Sequence, residues 1–237
     1  EVEWTTDVLR EVAMILTVDA NGNDATMDEF DPENIIQWGF DYQWYGDGRQ
    51  IPTMFGSFAL WDAEAGEAVI ADSWRAGFQW WYDGMWVDNF IPNAAQEGSD
   101  QLAAGNVFNS GNLAMGYSLL WYTCGIEGTE WQIAPVPSYN GVTTARLHAD
   151  TFRVYAGTEH PEETFEFLTY LVGDAALDLL AVYGGLPSRV EEQAEFFAGL
   201  DETFTQGVNW QVAVDSLQYA DVPSHEAWFP NYLLGRD

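Results

Sequence analysis

The chain contains no lysine. Its seven basic residues are all arginines, set against 38 acidic residues, and the formal charge is −31. Such a polyanion repels nucleic acid and anionic lipid, so neither is expected as a partner. The same charge destabilises the compact state by self-repulsion unless salt screens it, and acid excess with lysine depletion suggests a saline setting. Cys124 is the single cysteine. It excludes an intrachain disulfide and leaves the redox compartment unreadable. No apolar run reaches the roughly 18 residues of a membrane-spanning helix. The opening Glu1-Val2-Glu3-Trp4 carries no signal-peptide pattern and lies close to a helix start.

Catalytic motifs are missing too. His148, His160 and His225 are far apart in sequence and have no metal-ligand spacing. There is no G-x-S-x-G elbow, no phosphate-binding glycine loop and no dinucleotide fingerprint, so no cofactor and no enzyme activity are expected. Paired carboxylates for glycoside hydrolysis remain open, but 38 acids allow so many pairs that none is informative. Asp19, Asn21 and Asn23 match positions 1, 3 and 5 of a calcium loop. However, Asp24 stands where that loop needs glycine and Phe30 where it needs glutamate, so a solvated turn is the expectation.

What the chain has in excess is aromatic surface: 12 Trp, 11 Tyr and 14 Phe in 237 residues. Most of these rings are expected in the core. Indole prefers a partner for its N–H, and so many tryptophans leave some to line a surface, where flat sugar faces are natural partners.

Periodicity places a helix after Thr5 or Thr6, with Leu9, Val12, Ala13 and Leu16 on its buried stripe. Ile35–Phe40 reads as a buried strand leading into the aromatic cluster Asp41–Gly48. Trp61–Ile70 reads as a hairpin about Ala65-Gly66. A helix capped by Ser73 should carry Trp74, Phe78, Trp81 and Met85. Leu113–Ser118, Trp131–Pro137 and Phe152–Tyr155 read as strands. Helices are expected from Pro161, then to Tyr183, from Val190 to Phe197 and from about Val208 to Tyr219. Interspersed strands and helices indicate an α/β class. The length suits one large domain or two lobes.

The stretch Phe108-Asn-Ser-Gly111-Asn-Leu-Ala114-Met115, followed six residues later by Trp121, resembles a pattern of bacterial ABC-transporter solute-binding proteins. It is closest to the carbohydrate branch, similar to maltose-binding protein. Trp131-Gln-Ile-Ala-Pro-Val-Pro137, His160-Pro-Glu-Glu-Thr-Phe-Glu-Phe-Leu168, Leu186-Pro-Ser-Arg189, and Trp4-Thr-Thr-Asp7 with Leu16–Asn23 are similar to further motifs of that family, in its order. The resemblance implies a periplasmic-binding-protein-like two-lobe α/β architecture with mostly the second lobe present. It starts inside the family's pattern and stops before its end, so the chain looks truncated at both ends. Residues 1–134 and 188–237 would belong to the second lobe, and residues 135–187 would be contributed to the first.

The implied function is capture of a sugar in an interlobe cleft and delivery to an ABC importer's membrane subunits. The protein would be a monomer, extracellular or periplasmic, and a membrane-tethered lipoprotein in its full-length form. Trp121 takes the place of the family's sugar-stacking tryptophan. Trp44 and Tyr45 follow a strand end where the family places an aromatic contact. His148 and Asp150 precede the strand expected at Phe152, where the family's backbone faces the cleft. Trp228 and Asn231 fall near the lobe junction. Arg146 either hydrogen-bonds the ligand or pairs with a surface acid. The alternatives are a carbohydrate-active enzyme or lectin-like module, and a solute-binding protein for a non-sugar ligand such as a polyamine.

Overall fold

Thr5 opens helix α1 (Thr6–Ile15), its hydroxyl accepting the Val8 N–H at 3.2 Å, and Leu9 and Ala13 turn inward as the periodicity requires. The computed structural model describes residues 3–43 and 48–225. Beneath α1 the chain passes so close that a Cβ on Gly39 would lie 1.9 Å from the Ala13 carbonyl oxygen. Only glycine fits there. Thr17 locks the crossing: its hydroxyl donates to the Ala13 carbonyl at 2.8 Å and accepts the Gly39 N–H at 2.9 Å.

Strands β1 (Val18–Asp19) and β2 (Ile35–Gln37) pair antiparallel, with the Asp19–Asn34 loop between them. Strand β3 (Asp41–Tyr42) pairs in parallel with β6 (Gly116–Tyr117), and an isolated bridge from Trp38 to Leu113 extends this ladder. The strand expected over Leu113–Ser118 is therefore present in two short pieces. Leu113 and Tyr117 are buried while Gly116 is exposed, the alternation a half-covered strand demands. The 3-10 helix Gly48–Phe55 packs its Ile51, Met54 and Phe55 inward. The expected hairpin forms as β4 (Trp61–Asp62) and β5 (Glu67–Ala68).

Helix α2 (Asp72–Trp86) departs from expectation in two ways. Ala71 occupies the N-cap with no side-chain bond, so Ser73 lies inside the helix. The buried face is centred on Trp74 and Trp80, and Phe78, Trp81 and Met85 lie half-buried at its margins. Packing against the 3-10 helix set that rotation, and the stripe alone did not reveal it.

After the short α3 (Ala94–Glu97), closed by an Asn93–Gln96 capping box, the chain runs through turns to β6. Trp131–Pro137 forms no strand and has no ladder partner among the described residues. A hairpin follows that the sequence reading missed, β7 (Ser138–Tyr139) with β8 (Val142–Thr143), turned by Asn140-Gly141, both at positive φ. Phe152–Tyr155 is likewise not a strand, and its side chains are exposed. An apolar strand pattern becomes a strand only beside another strand, and among the described residues none lies alongside either segment.

Helix α4 (Pro161–Leu171) starts on its proline, and α5 (Ala176–Tyr183) ends at the left-handed Gly184. Helix α6 (Val190–Thr203) runs six residues past the expected Phe197, and α7 (Gln211–Ser216) starts later than expected. No residue of α4 is buried, and Phe165 is 67% exposed.

The described chain has three buried clusters. One joins α1, β3, α2 and β6 through Leu9, Phe40, Tyr42, Trp80, Phe90 and Tyr117, whose rings meet edge to face (Phe40–Trp80, 5.5 Å; Trp80–Phe90, 5.2 Å). A second gathers Ile35, Trp38, Leu102, Val107 and Leu113. The third sets Trp131 against Phe204, Val208 and Trp210. A cleft opens between the β3–β6 ladder and the α4–α5 region.

Candidate functional site

Strand β6 ends at Tyr117, and the chain then turns into the 3-10 helix Leu120–Gly125. This places Trp121 off the sheet end, half-buried, on the wall of a cleft of about 1960 Å³. Among the described residues its one aromatic ring contact is with Tyr122, edge to face, at 6.3 Å and 89°. Its backbone is held from behind by the C-terminus of α5: a Cβ on Gly184 would lie 2.9 Å from the Trp121 carbonyl oxygen.

Arg146, His148 and Asp150 line the same cleft. The structure thus brings four of the expected site residues together. The other four, Trp44, Tyr45, Trp228 and Asn231, lie outside the described residues. The segment carrying Arg146 is tied down on both sides. Its amide donates to the Tyr117 hydroxyl at 3.3 Å, and the Leu147 amide donates to Asp221 at 3.0 Å.

Among the described residues no acid pairs with Arg146. It is 5% exposed, its guanidinium lies 4.5 Å over the Tyr117 ring, and Nη1 donates to Gln50 at 2.6 Å. Nε and Nη2 are buried and, among the described residues, have no hydrogen-bond partner. Arg10 and Arg189, by contrast, each hold a carboxylate.

His148 faces His225, with their Nε2 atoms 3.1 Å apart and their rings 5.1 Å between centroids. Fold geometry alone unites these histidines, 77 positions apart, and sequence spacing could not have signalled it. Behind them Asp221 accepts from His225 Nδ1 at 2.5 Å and from the His225 amide at 2.7 Å. Burial alone would raise the Asp221 carboxyl, but the bonds from His225 and Leu147 outweigh it and hold it below the usual range. An ionised Asp221 can only accept, so His225 Nδ1 donates. The 3.1 Å contact between the two Nε2 atoms requires one ring to donate there and the other to accept. At the cleft rim Asp150 accepts from the Tyr183 hydroxyl, and this bond, before burial, pushes that phenol up to about 12.

At the Asp19 turn the carboxylate is already filled by protein donors: the amides of Asn21, Asn23 and Asp31 at 2.8–2.9 Å and Asn23 Nδ2 at 3.2 Å. Burial acts to raise its pKa, yet these bonds prevail and hold it at about 2. Among the described residues no group of three or more His, Cys, Asp or Glu side chains is arranged to hold a metal ion.

The family model described as bacterial extracellular solute-binding protein matches residues 16–178, more than half of the chain. The chain belongs to this family. Three solved structures are similar to this solute-binding chain. They are UspC of M. tuberculosis (TM-score 0.64, 19% identity, 93% of this chain and 57% of that one), an ABC substrate-binding protein from Listeria monocytogenes in complex with cycloalternan (0.66, 15%, 92% and 52%), and the maltose/maltodextrin-binding domain MalE from Bdellovibrio bacteriovorus bound to maltotriose (0.59, 18%, 93% and 55%). The chain therefore spans little more than half the length of each. At these identities the likeness establishes the fold, an α/β periplasmic-binding architecture. No curated protein sequence matches. Among the described residues no helix is long and apolar enough to cross a membrane.

Proposed function

We propose that this solute-binding chain captures a carbohydrate in the cleft walled by Trp121 and hands it to the membrane subunits of an ABC importer, outside the cytoplasm. The observation that carries the reading is the placement of Trp121. It is half-buried, backed by Gly184, and free of the deep packing that fixes Trp74 and Trp80. An indole there offers a face for a sugar ring and an N–H for a hydroxyl. The sugars bound by two of the similar structures support the same class of ligand. Arg146 at the inner wall disfavours a polyamine, since like charges would meet there.

We further propose that residues 1–134 and 188–237 form one lobe, and that 135–187 belong with a facing lobe that closes over the ligand. Two facts support this division. Apolar side chains on the 152–172 segment stand in solvent (Tyr155 78%, Phe165 67%), and the similar structures extend well beyond the length matched here. The cleft is also about twice the upper end of the usual ~300–1,000 Å³ range for small-ligand pockets, so a single wall does not enclose a sugar.

A thermal-shift screen of mono- and oligosaccharides tests the function. A ligand at 100 times its dissociation constant stabilises by about 2.7 kcal/mol, or roughly 5–10 °C for a chain of this size. A response to polyamines and to no saccharide would remove the carbohydrate reading.

A further inference from the structure

We propose that Asp221, His225 and His148 form a proton-operated tie at the cleft wall, closed while at least one imidazole of the pair is neutral and released when both are charged. The tie stands on its own contacts. Its consequence rests on the division proposed above, in which His148 and His225 belong to opposite lobes.

Two stretches of chain run side by side behind His148. Ala145 and Ala220 form an isolated parallel bridge. The Ala145 amide donates to the Tyr219 carbonyl at 2.7 Å, and the Asp221 amide to the Ala145 carbonyl at 3.0 Å. One Asp221 carboxylate oxygen accepts the Leu147 amide at 3.0 Å, and the other accepts the His225 amide and Nδ1. The Nε2 contact at 3.1 Å then joins His225 to His148, a half-buried residue of the cleft lining. The His225 side chain is inaccessible, so His148 is the member of the pair open to the cleft.

The contact needs one N–H and one bare nitrogen. Two neutral rings supply them, and so does one charged ring beside a neutral one. A proton on each ring sets N–H against N–H and two positive charges 3.1 Å apart, an arrangement that drives the rings apart. The separated arrangement therefore holds one more proton than the tied one, and falling pH favours separation. A free imidazole takes its proton at about pH 6.5, so the tie is complete above that value and weakens below it. His148 is the ring that leaves, because Asp221 grips His225 at both its amide and Nδ1. With His148 released, the Ala145 and Leu147 bonds lose the cross-link beyond them. Neutral pH thus couples the two lobes and acid uncouples them.

Neighbouring charges leave this role to the rings. Asp221 is held below the usual carboxylate range, so it stays ionised and keeps accepting from His225. Arg146, on the His148 stretch, is turned onto Tyr117 of β6 and Gln50 of the 3-10 helix. Asp150 accepts from Tyr183 of α5, whose phenol is pushed up to about 12. Carboxylate, guanidinium and phenol groups ordinarily titrate outside about pH 5–7.5, and imidazole inside it. Burial raises the Asp41 and Glu97 carboxyls; His148→Gln leaves both in place and so separates their titration from that of the rings.

Hydrogen exchange at constant ionic strength tests the tie without a saccharide, so carbohydrate capture stands or falls separately. Protection of the Ala145, Leu147 and Asp221 amides, corrected for intrinsic exchange, should hold from about pH 8 to 7 and fall about tenfold by about pH 5. The Leu9 amide in α1 should keep its protection throughout. Glutamine supplies a donor and an acceptor at the contact but takes no proton, so His148→Gln should remove the fall. Ring NMR signals of His148 and His225 should titrate in two coupled steps, whereas the exposed His160 gives one. Protection that ignores pH, or that falls equally in His148→Gln, overturns the inference. A fall shared by Leu9 reports acid unfolding of the whole chain and overturns it too. If His148→Gln fails to fold, the rings of the unsubstituted protein decide: independent single-step curves for His148 and His225 overturn the tie.

Discussion

Two tryptophans show how burial separates support from function at the level of a single side chain. Trp80 is fixed by Phe40, Phe55 and Phe90 around it, and Trp80→Ala should cost about 3–5 kcal/mol. Among the described residues Trp121 has one edge-to-face ring contact, with Tyr122, and Trp121→Ala should cost about 1 kcal/mol, the scale of one aromatic pair. The same substitution should abolish most ligand-induced stabilisation. Urea unfolding of both variants, with and without saccharide, checks the contrast; a Trp121→Ala loss as large as that of Trp80→Ala would mean the ring is structural. Asp221 gives a pH signature. Its folded-state pKa is depressed, so its contribution is complete above the unfolded value of about 3.9 and is lost as pH falls through the lower folded value. Asp221→Asn should cost about 2 kcal/mol, roughly 4–8 °C. The gap should be constant from pH 7 to 5 and close only at more acidic pH. Trp121 could be singled out in the sequence because a spaced motif carried it, and it lines the cleft; Arg146, which lines it too, was left open between a ligand contact and a surface acid. The Asp221–His225–His148 chain was not legible, since histidines 77 positions apart meet only through the path of the backbone.

Local signals and long-range partners contributed unequally to the elements. The ends of α1, α4 and α5 could be read because Thr5, Pro161 and Gly184 act on their own neighbours. The hairpin at 61–70 was legible for the same reason. Strands at 131–137 and 152–155 were misread because apolar alternation states a need for a partner without supplying one. The rotation of α2 toward Trp80 depended on the 3-10 helix below it. Glycine makes the distinction testable. At Gly39 a methyl group would collide with the backbone of α1, so Gly39→Ala should cost about 3 kcal/mol or more by forcing the helix off the chain beneath it. At Gly199, within α6 and with nothing within 4 Å, the same substitution should stabilise by about 0.5–1 kcal/mol. Chemical denaturation of the pair separates packing from helix propensity, and equal effects would contradict the close approach at Ala13.

For the whole molecule the governing quantity is charge. Seven arginines cannot offset 38 acids, and most acids lie at the surface, as on α4 and α6, whose first turns carry Glu162, Glu163, Glu191 and Glu192. Among the described residues two arginine–acid pairs, Arg10–Asp88 and Arg189–Glu192, engage only a small part of this excess. Repulsion among exposed carboxylates acts through solvent, so its range is the Debye length, about 10 Å at 0.1 M and about 3 Å at 1 M salt. Shortening that range removes the interaction between neighbouring acids while leaving contacts such as Arg10–Asp88, at 2.7 Å, partly in force. The melting temperature should therefore climb through the 0.1–1 M range in sodium chloride. Potassium chloride should match it at equal ionic strength if the effect is screening. Protonation gives an independent check: near pH 4.5 part of the surface charge is already neutralised, so the salt-dependent rise should be smaller there than at pH 7. A melting temperature that is flat or falls with salt at pH 7 would show that the excess acids are not a net burden on the fold.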